Sequence, residues 1–181
     1  MAAQRILRKF PLSLGLGTDI CHVIRIEGIL KSSRGARFVR KILNPEERTH
    51  PKIQWLLQPQ SGPTPSTQNA QSRLKGSSPC SDHLQAGWKL DESSSAPDIQ
   101  IAAKFIAGRF AAKEAVVKAH PHRALTWHDI TIRSQAAVHP GRNGAPLAIV
   151  HGENEDLEAL ISISHDGEYA TAVCLGAGPS M

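Results

Sequence analysis

Aromatic side chains are scarce in this chain, with four Phe, three Trp and one Tyr making up 4% of its 181 residues. A protein that stacks nucleic-acid bases needs aromatics interleaved with its basic residues, so no nucleic-acid partner is expected. Cysteine is scarcer still: Cys21, Cys80 and Cys174 are odd in number and far apart. They offer neither a C-x-x-C pair for zinc nor a disulfide framework, which suits a reducing interior compartment. The nine histidines are scattered and form no H-E-x-x-H, which removes the commonest zinc-protease signature. No apolar run approaches the roughly 20 residues that a membrane span needs, so no membrane partner is expected. Acidic residues are missing from the start, where Arg5, Arg8 and Lys9 precede the first carboxylate, Asp19. An Arg-rich, acid-poor opening is typical of organelle targeting. Residues 1–13 therefore read as a short targeting segment or as a merely basic start.

What is present suits one domain with a real core, since 40% of the residues are hydrophobic. The formal net charge of +5 favours an anionic partner such as nucleic acid, a phosphorylated ligand or an acidic protein. Charge alone does not choose among them, and the scarcity of aromatics weighs against the first. Between 59 and 97 the composition shifts to nine Ser, five Pro and three Gly with few large apolar residues. Such a stretch cannot bury enough surface to offset its ordering entropy. Neither flank carries a complete core, so the stretch reads as an insertion within one domain, 1–181, with Trp88 its one residue able to dock.

The stretch 14–20 alternates cleanly and predicts a strand, with Leu14, Leu16, Thr18 and Ile20 on one face and Gly15, Gly17 and Asp19 on the other. Glycines beside a carboxylate mark close approach by a ligand or by another backbone. A helix is expected over about 23–30, then a basic run with Arg34, Arg37, Arg40 and Lys41 that reads as a solvated face. Asn44, Pro45 and Glu47 supply an N-cap, a first-turn proline and a capping-box acid, predicting a helix start. Residues 101–119 predict one long helix. Its charges fall apart: Lys104, Glu114 and Lys118 share one side, Arg109 and Lys113 the other, with apolar stripes between. That pattern predicts a helix buried on two sides, with its charges emerging in separate places and Lys113 solvated. His120 and Pro121 end the helix. Strand formers from Thr126 to Arg133, the Asn143-Gly144 turn and the apolar run 146–150 predict a hairpin. Residues 153–160 read as one or two acidic helical turns, 160–165 as a strand, Asp166-Gly167 as a two-residue turn and 169–175 as a returning strand. The expected class is α+β, with helices against a mostly antiparallel sheet.

Asp19, Glu114, Lys118 and His165 are polar positions on otherwise apolar or small-residue elements. Two carboxylates from separate elements are the usual way to hold Mg²⁺. A lysine one turn beyond Glu114 can neutralise a phosphate. The plainer alternative is a Glu114–Lys118 surface pair worth about 0.2–0.5 kcal/mol.

These residues fall into blocks in a definite order. Gly15-Leu16-Gly17-Thr18-Asp19-Ile20 comes first, then Arg25-Ile26, Phe38 and Glu47. Ala107-Gly108-Arg109-Phe110-Ala111-Ala112-Lys113-Glu114, Lys118-Ala119, Ser162-Ile163-Ser164-His165-Asp166 and Tyr169-Ala170 follow. The set resembles the small 4′-phosphopantetheinyl transferases of the holo-[acyl-carrier-protein] synthase type, over 14–175 apart from the insertion. The run from Ala119 to Asp129 is similar to the eukaryotic, mitochondrial branch, implying mitochondrial rather than cytoplasmic placement. The resemblance implies transfer of phosphopantetheine from coenzyme A to a serine of an acyl carrier protein. It assigns Asp19 and Glu114 to Mg²⁺ and makes Glu114 and Lys118 catalytic. Asp19, Arg109, Lys118 and His165 would bind CoA, and Arg25 would face the carrier protein. It also implies a homotrimer, whose interface would help explain a helix with two apolar stripes. The chain departs from the family where His120-Pro121-His122-Arg123 replaces a glycine-containing loop, which bears on the CoA contacts after Ala119. The rival reading is a non-catalytic basic module binding a carrier protein or RNA.

Overall fold

The fold grows from a strand that has given up its side chains to let a helix in. In the computed structural model, which describes residues 11–58, 96–135 and 144–178, strand β1 (Leu14–His22) runs directly into helix α1 (Val23–Leu30) and then α2 (Gly35–Ile42). Two 3₁₀ turns follow, Glu47–Thr49 and Gln54–Leu57. Helix α3 (Ala96–Ala119) leads through a third 3₁₀ turn (Trp127–Asp129) to β2 (Ile130–Ser134), β3 (Pro146–Val150), β4 (Leu157–Asp166) and β5 (Tyr169–Ala177). The five strands form one antiparallel sheet in the order β1-β5-β4-β3-β2. The α+β expectation therefore holds.

Helix α3 lies across the inner sheet face against β1, β5 and β4. Its inward residues are small: Ala103, Ala107, Ala111, Ala112, Ala115 and Ala119 are fully buried. The strand matches them. A Cβ on Gly17 would fall 1.9 Å from the Ala115 carbonyl oxygen, and one on Gly15 would fall 1.7 Å from that of Ala119. The glycines of β1 thus admit another backbone. The other side of α3 is covered by α1 and α2, with Ile26, Val39 and Ile42 in the same buried core. Both sides of α3 therefore pack against elements of this chain, with Phe105, Phe110 and Val117 of its stripes partly buried. Among the described residues, an apolar surface is left open on the outer face of the sheet. There Leu16 stands opposite Leu175, and Leu175 opposite Leu160, forming a row that is exposed on three adjacent strands.

Four local expectations need correction. Residues 153–156 form no helix; the chain bends and enters β4 at Leu157, because the run Leu157-Glu158-Ala159-Leu160-Ile161 alternates at period two with Ala159 and Ile161 inward. The Asn44 signal makes only a 3₁₀ turn at Glu47–Thr49, because the glutamate is drawn into the core. Thr126–Asp129 is a capped 3₁₀ turn, so the strand begins at Ile130. The β4–β5 loop is Gly167-Glu168, one residue later than expected, since Asp166 pairs with Tyr169 and Gly167 takes φ 52°. The hairpin across 126–150 is present as β2 paired with β3. Arg142 and Asn143 of its turn, Trp88, most of the 59–97 insertion and most of the 1–13 segment lie outside the described residues.

Candidate active site

Where β1 meets the C-terminal half of α3, charged groups emerge from an otherwise apolar contact. Asp19 is on the inward, glycine-bearing face of β1, and its carboxylate is drawn toward α3. Lys118 Nζ donates to Asp19 Oδ1 at 2.7 Å and to the Thr18 carbonyl at 3.0 Å. Asp19 Oδ2 is buried and has no hydrogen-bond partner. A buried carboxylate oxygen without a donor is costly, so this one is a natural place for a cation. Glu114 lies one turn before Lys118 and projects from the same side of the helix. The two do not pair with each other: Lys118 takes Asp19, and Glu114 Oε1 accepts the indole N–H of Trp127 at 2.6 Å. The surface-pair alternative therefore fails. Among the described residues, no three acidic, histidine or cysteine side chains gather as a metal cluster.

Behind Glu114 lies a buried ion pair that sequence reasoning missed. Lys113, expected to be solvated, is fully buried and donates to Glu47 Oε2 at 2.5 Å and to the Trp127 carbonyl at 2.8 Å. Burial holds its pKa below the ordinary lysine value, and the neighbouring Glu47 charge partly restores it. Glu47 also accepts from the backbone N–H of Asn44 and of Ile132, at 3.1 and 3.2 Å. Its own N–H donates to Asn44 Oδ1 at 3.0 Å. The capping box anticipated from Asn44 and Glu47 is thus real, but its glutamate also neutralises the buried lysine. A half-buried Trp127 is the second missed residue. Its signal was available, since Thr126-x-x-Asp129 is a capping-box spacing, and both bonds of that box form.

The remaining candidates are dispersed. Arg25, on α1, stands over the Phe110 ring at 5.4 Å and donates to Cys21 Sγ at 3.5 Å. It is exposed, and Phe110 packs against Trp127 at 5.7 Å between centroids, so Arg25 borders the Glu114 side of α3. His165, at the end of β4, binds the Lys104 carbonyl at 3.0 Å through Nε2. Its ring fills the space over Gly108, where a Cβ would meet it at 2.9 Å. Lys104 and Lys118 are 14 residues apart, about 21 Å along a helix. Arg109 points away from Asp19 into a groove of about 390 Å³ shared with Glu46, Glu47, His50, Phe105 and Arg133. Its guanidinium lies 5.0 Å from the Phe105 centroid, and Nε is buried without a partner. Burial holds its pKa below the ordinary arginine value. Lys118 thus joins Asp19 to α3, with Glu114 one turn earlier on the same side of that helix, whereas His165 and Arg109 stand apart from this contact.

Comparison with known proteins bears on the family and the fold. Residues 82–174 match the model of the 4′-phosphopantetheinyl transferase superfamily. The chain is 33% identical over 175 residues to 4′-phosphopantetheinyl transferase B, mitochondrial, of Aspergillus fumigatus, covering 93% of this chain and 97% of that protein. The fold is similar to holo-ACP-synthase from Plasmodium yoelii, with TM-score 0.54 and 22% identity, covering 92% and 95% of the two chains. It is also similar to a holo-(acyl-carrier-protein) synthase from Bacillus anthracis in complex with CoA (3′,5′-ADP). There the TM-score is 0.51 at 25% identity, covering 91% and 96%.

Proposed function

This chain belongs to the 4′-phosphopantetheinyl transferase superfamily, and on that premise we propose that Asp19, Glu114 and Lys118 form the reaction centre of a holo-acyl-carrier-protein synthase. The enzyme transfers the 4′-phosphopantetheine arm of coenzyme A to a serine of an acyl carrier protein. The serine oxygen forms the new bond to the phosphorus bearing pantetheine. The bond from that phosphorus to the bridging oxygen of the pyrophosphate breaks, and adenosine 3′,5′-bisphosphate leaves. Such a reaction is mostly positioning and charge neutralisation. The observation that supports the assignment is the Lys118–Asp19 ion pair at the β1–α3 contact, with Glu114 one turn earlier on the same side of α3.

Asp19 and Glu114 fit Mg²⁺, which commonly takes one or two carboxylates together with phosphate oxygens and water. The partnerless Asp19 Oδ2 supports that fit. When bound, Mg²⁺ supplies charge neutralisation at the pyrophosphate. Glu114 accepts the serine proton through the oxygen that Trp127 leaves free. Lys118 neutralises the leaving phosphate, its ammonium already held beside Asp19. Arg25 faces the carrier protein, where basic side chains raise the association rate with an acidic partner.

Arg109 lies on the opposite side of α3, and His165 lies against Lys104, well along the helix from Lys118, so in this reading they seat the nucleotide end of a CoA bound across a boundary between copies. The open sheet face supports that boundary: Leu16 is 68% exposed, Leu160 62% and Leu175 43%. Three copies joined through this face are the proposed assembly. We assign 1–181 to one catalytic domain, with 59–97 an insertion and 1–13 a targeting segment for mitochondria, in keeping with the mitochondrial fungal relative. The test is the intact mass of an apo acyl carrier protein after incubation with this protein, CoA and Mg²⁺. Gain of one phosphopantetheine is expected, and no gain on several apo carriers with folded enzyme would sink the reading.

A further inference from the structure

Trp127 grips α3 at two successive residues, through different atoms. Its backbone carbonyl accepts from Lys113 Nζ at 2.8 Å, and its indole N–H donates to Glu114 Oε1 at 2.6 Å. Neither contact is free to drift. Lys113 is pinned from below by Glu47, which is itself bonded to the backbone at Asn44 and Ile132. The turn carrying Trp127 is closed by reciprocal bonds between Thr126 and Asp129. The ring is set against Phe110 at 5.7 Å, and Lys41 Nζ stands 5.3 Å from its centroid.

An unrestrained glutamate on a helix samples several rotamers and offers both oxygens to any donor. Here one oxygen is occupied by a neutral, donor-only group that brings no charge to compete for a metal or a phosphate. We propose that Trp127 is a positioning residue for the transfer reaction: it fixes the rotamer of Glu114 and reserves Oε2 for chemistry. The buried Lys113–Glu47 pair then acquires a role, because it holds the turn that holds the carboxylate. This inference rests on the assignment of Glu114 to the reaction centre.

Two measurements test it. The chain has three tryptophans, Trp55, Trp88 and Trp127, so Trp55→Phe and Trp88→Phe assign the Trp127 indole proton in an NMR spectrum without touching the site. Replacing Glu114 with alanine moves that proton upfield and leaves the Trp55 signal in place; an unmoved Trp127 signal overturns the contact. In steady-state kinetics, Trp127→Phe keeps the ring but removes the donor. Loss of a hydrogen bond to a charged group corresponds to about a tenfold fall in kcat, with KM for CoA and carrier protein within about twofold. An unchanged kcat, or a loss carried by KM for the carrier, overturns the positioning role. A parent enzyme that transfers nothing would sink the transferase reading and with it the role in catalysis, while the indole measurement would still decide whether the contact exists.

Discussion

Gly17→Ala should separate the helix from the strand that together make the site. The added Cβ would lie 1.9 Å from the Ala115 carbonyl oxygen and 2.7 Å from the Ala119 nitrogen. Both are backbone atoms, so no side chain can turn aside, and α3 must retreat by about 1 Å to restore a tolerable contact. Overpacking of this kind costs about 3 kcal/mol, at the upper end of its usual range. For a domain of this size that lowers Tm by roughly 6–12 °C. Gly28 is the control. It lies in α1 with nothing within 4 Å of its would-be Cβ, so Gly28→Ala should instead gain about 0.5–1 kcal/mol through helix propensity. Thermal unfolding followed by circular dichroism reads both. Transfer by the Gly17 variant should also fall below that of the parent, because the same retreat carries Lys118 away from Asp19. A Gly17→Ala protein as stable as its parent would refute the close-approach account of β1 and α3.

Other outcomes follow from single features. Lys113→Met leaves the Glu47 charge buried without its partner and should cost about 3–5 kcal/mol in urea unfolding. Replacing both members, as Glu47→Leu with Lys113→Met, should recover part of that loss; a double variant weaker than the single one would contradict the pairing. Burial pushes the fully buried Cys174 thiol up to about 11 from an ordinary 9.0. Between those values the unfolded thiol ionises first and the folded state holds the extra proton, so stability falls as pH rises from 9 to 11. Cys174→Ala should flatten that limb, and an unchanged slope would show that the thiol does not set it. Leu16→Glu, on the open sheet face, should lower the mass seen by light scattering from a trimer to a monomer with little change in fold. A parent already monomeric at working concentration would contradict the proposed assembly.

The elements that sequence made legible are those whose cause is local. The alternation of 14–20 fixes a strand because side chains on a strand face opposite ways, and Pro121 stops α3 because proline disfavours helix before it. Asp19, Glu114 and Lys118 were legible because each interrupts a small or apolar surface. Lys113 was not, since its burial depends on Glu47, a residue 66 positions away, and no helical period reports a distant partner. Trp127 hid for a related reason. Strand-forming neighbours outweighed the Thr126–Asp129 box, and its bond to Glu114 exists only once the turn packs on α3. The two-striped pattern of α3 was read correctly as burial on two sides. What covers the second side is set by tertiary packing, and it proved to be α1 and α2 of the same chain.

Phosphopantetheine transfer should depend on both Asp19 and Glu114. The most direct measurement is the intact mass of apo acyl carrier protein after incubation with CoA, Mg²⁺ and, in parallel, the parent enzyme, Asp19→Ala or Glu114→Ala. All three should have matching circular dichroism spectra. The expected result is conversion by the parent and none by either variant in the same time. Near-normal conversion by a folded Asp19 or Glu114 variant would contradict it.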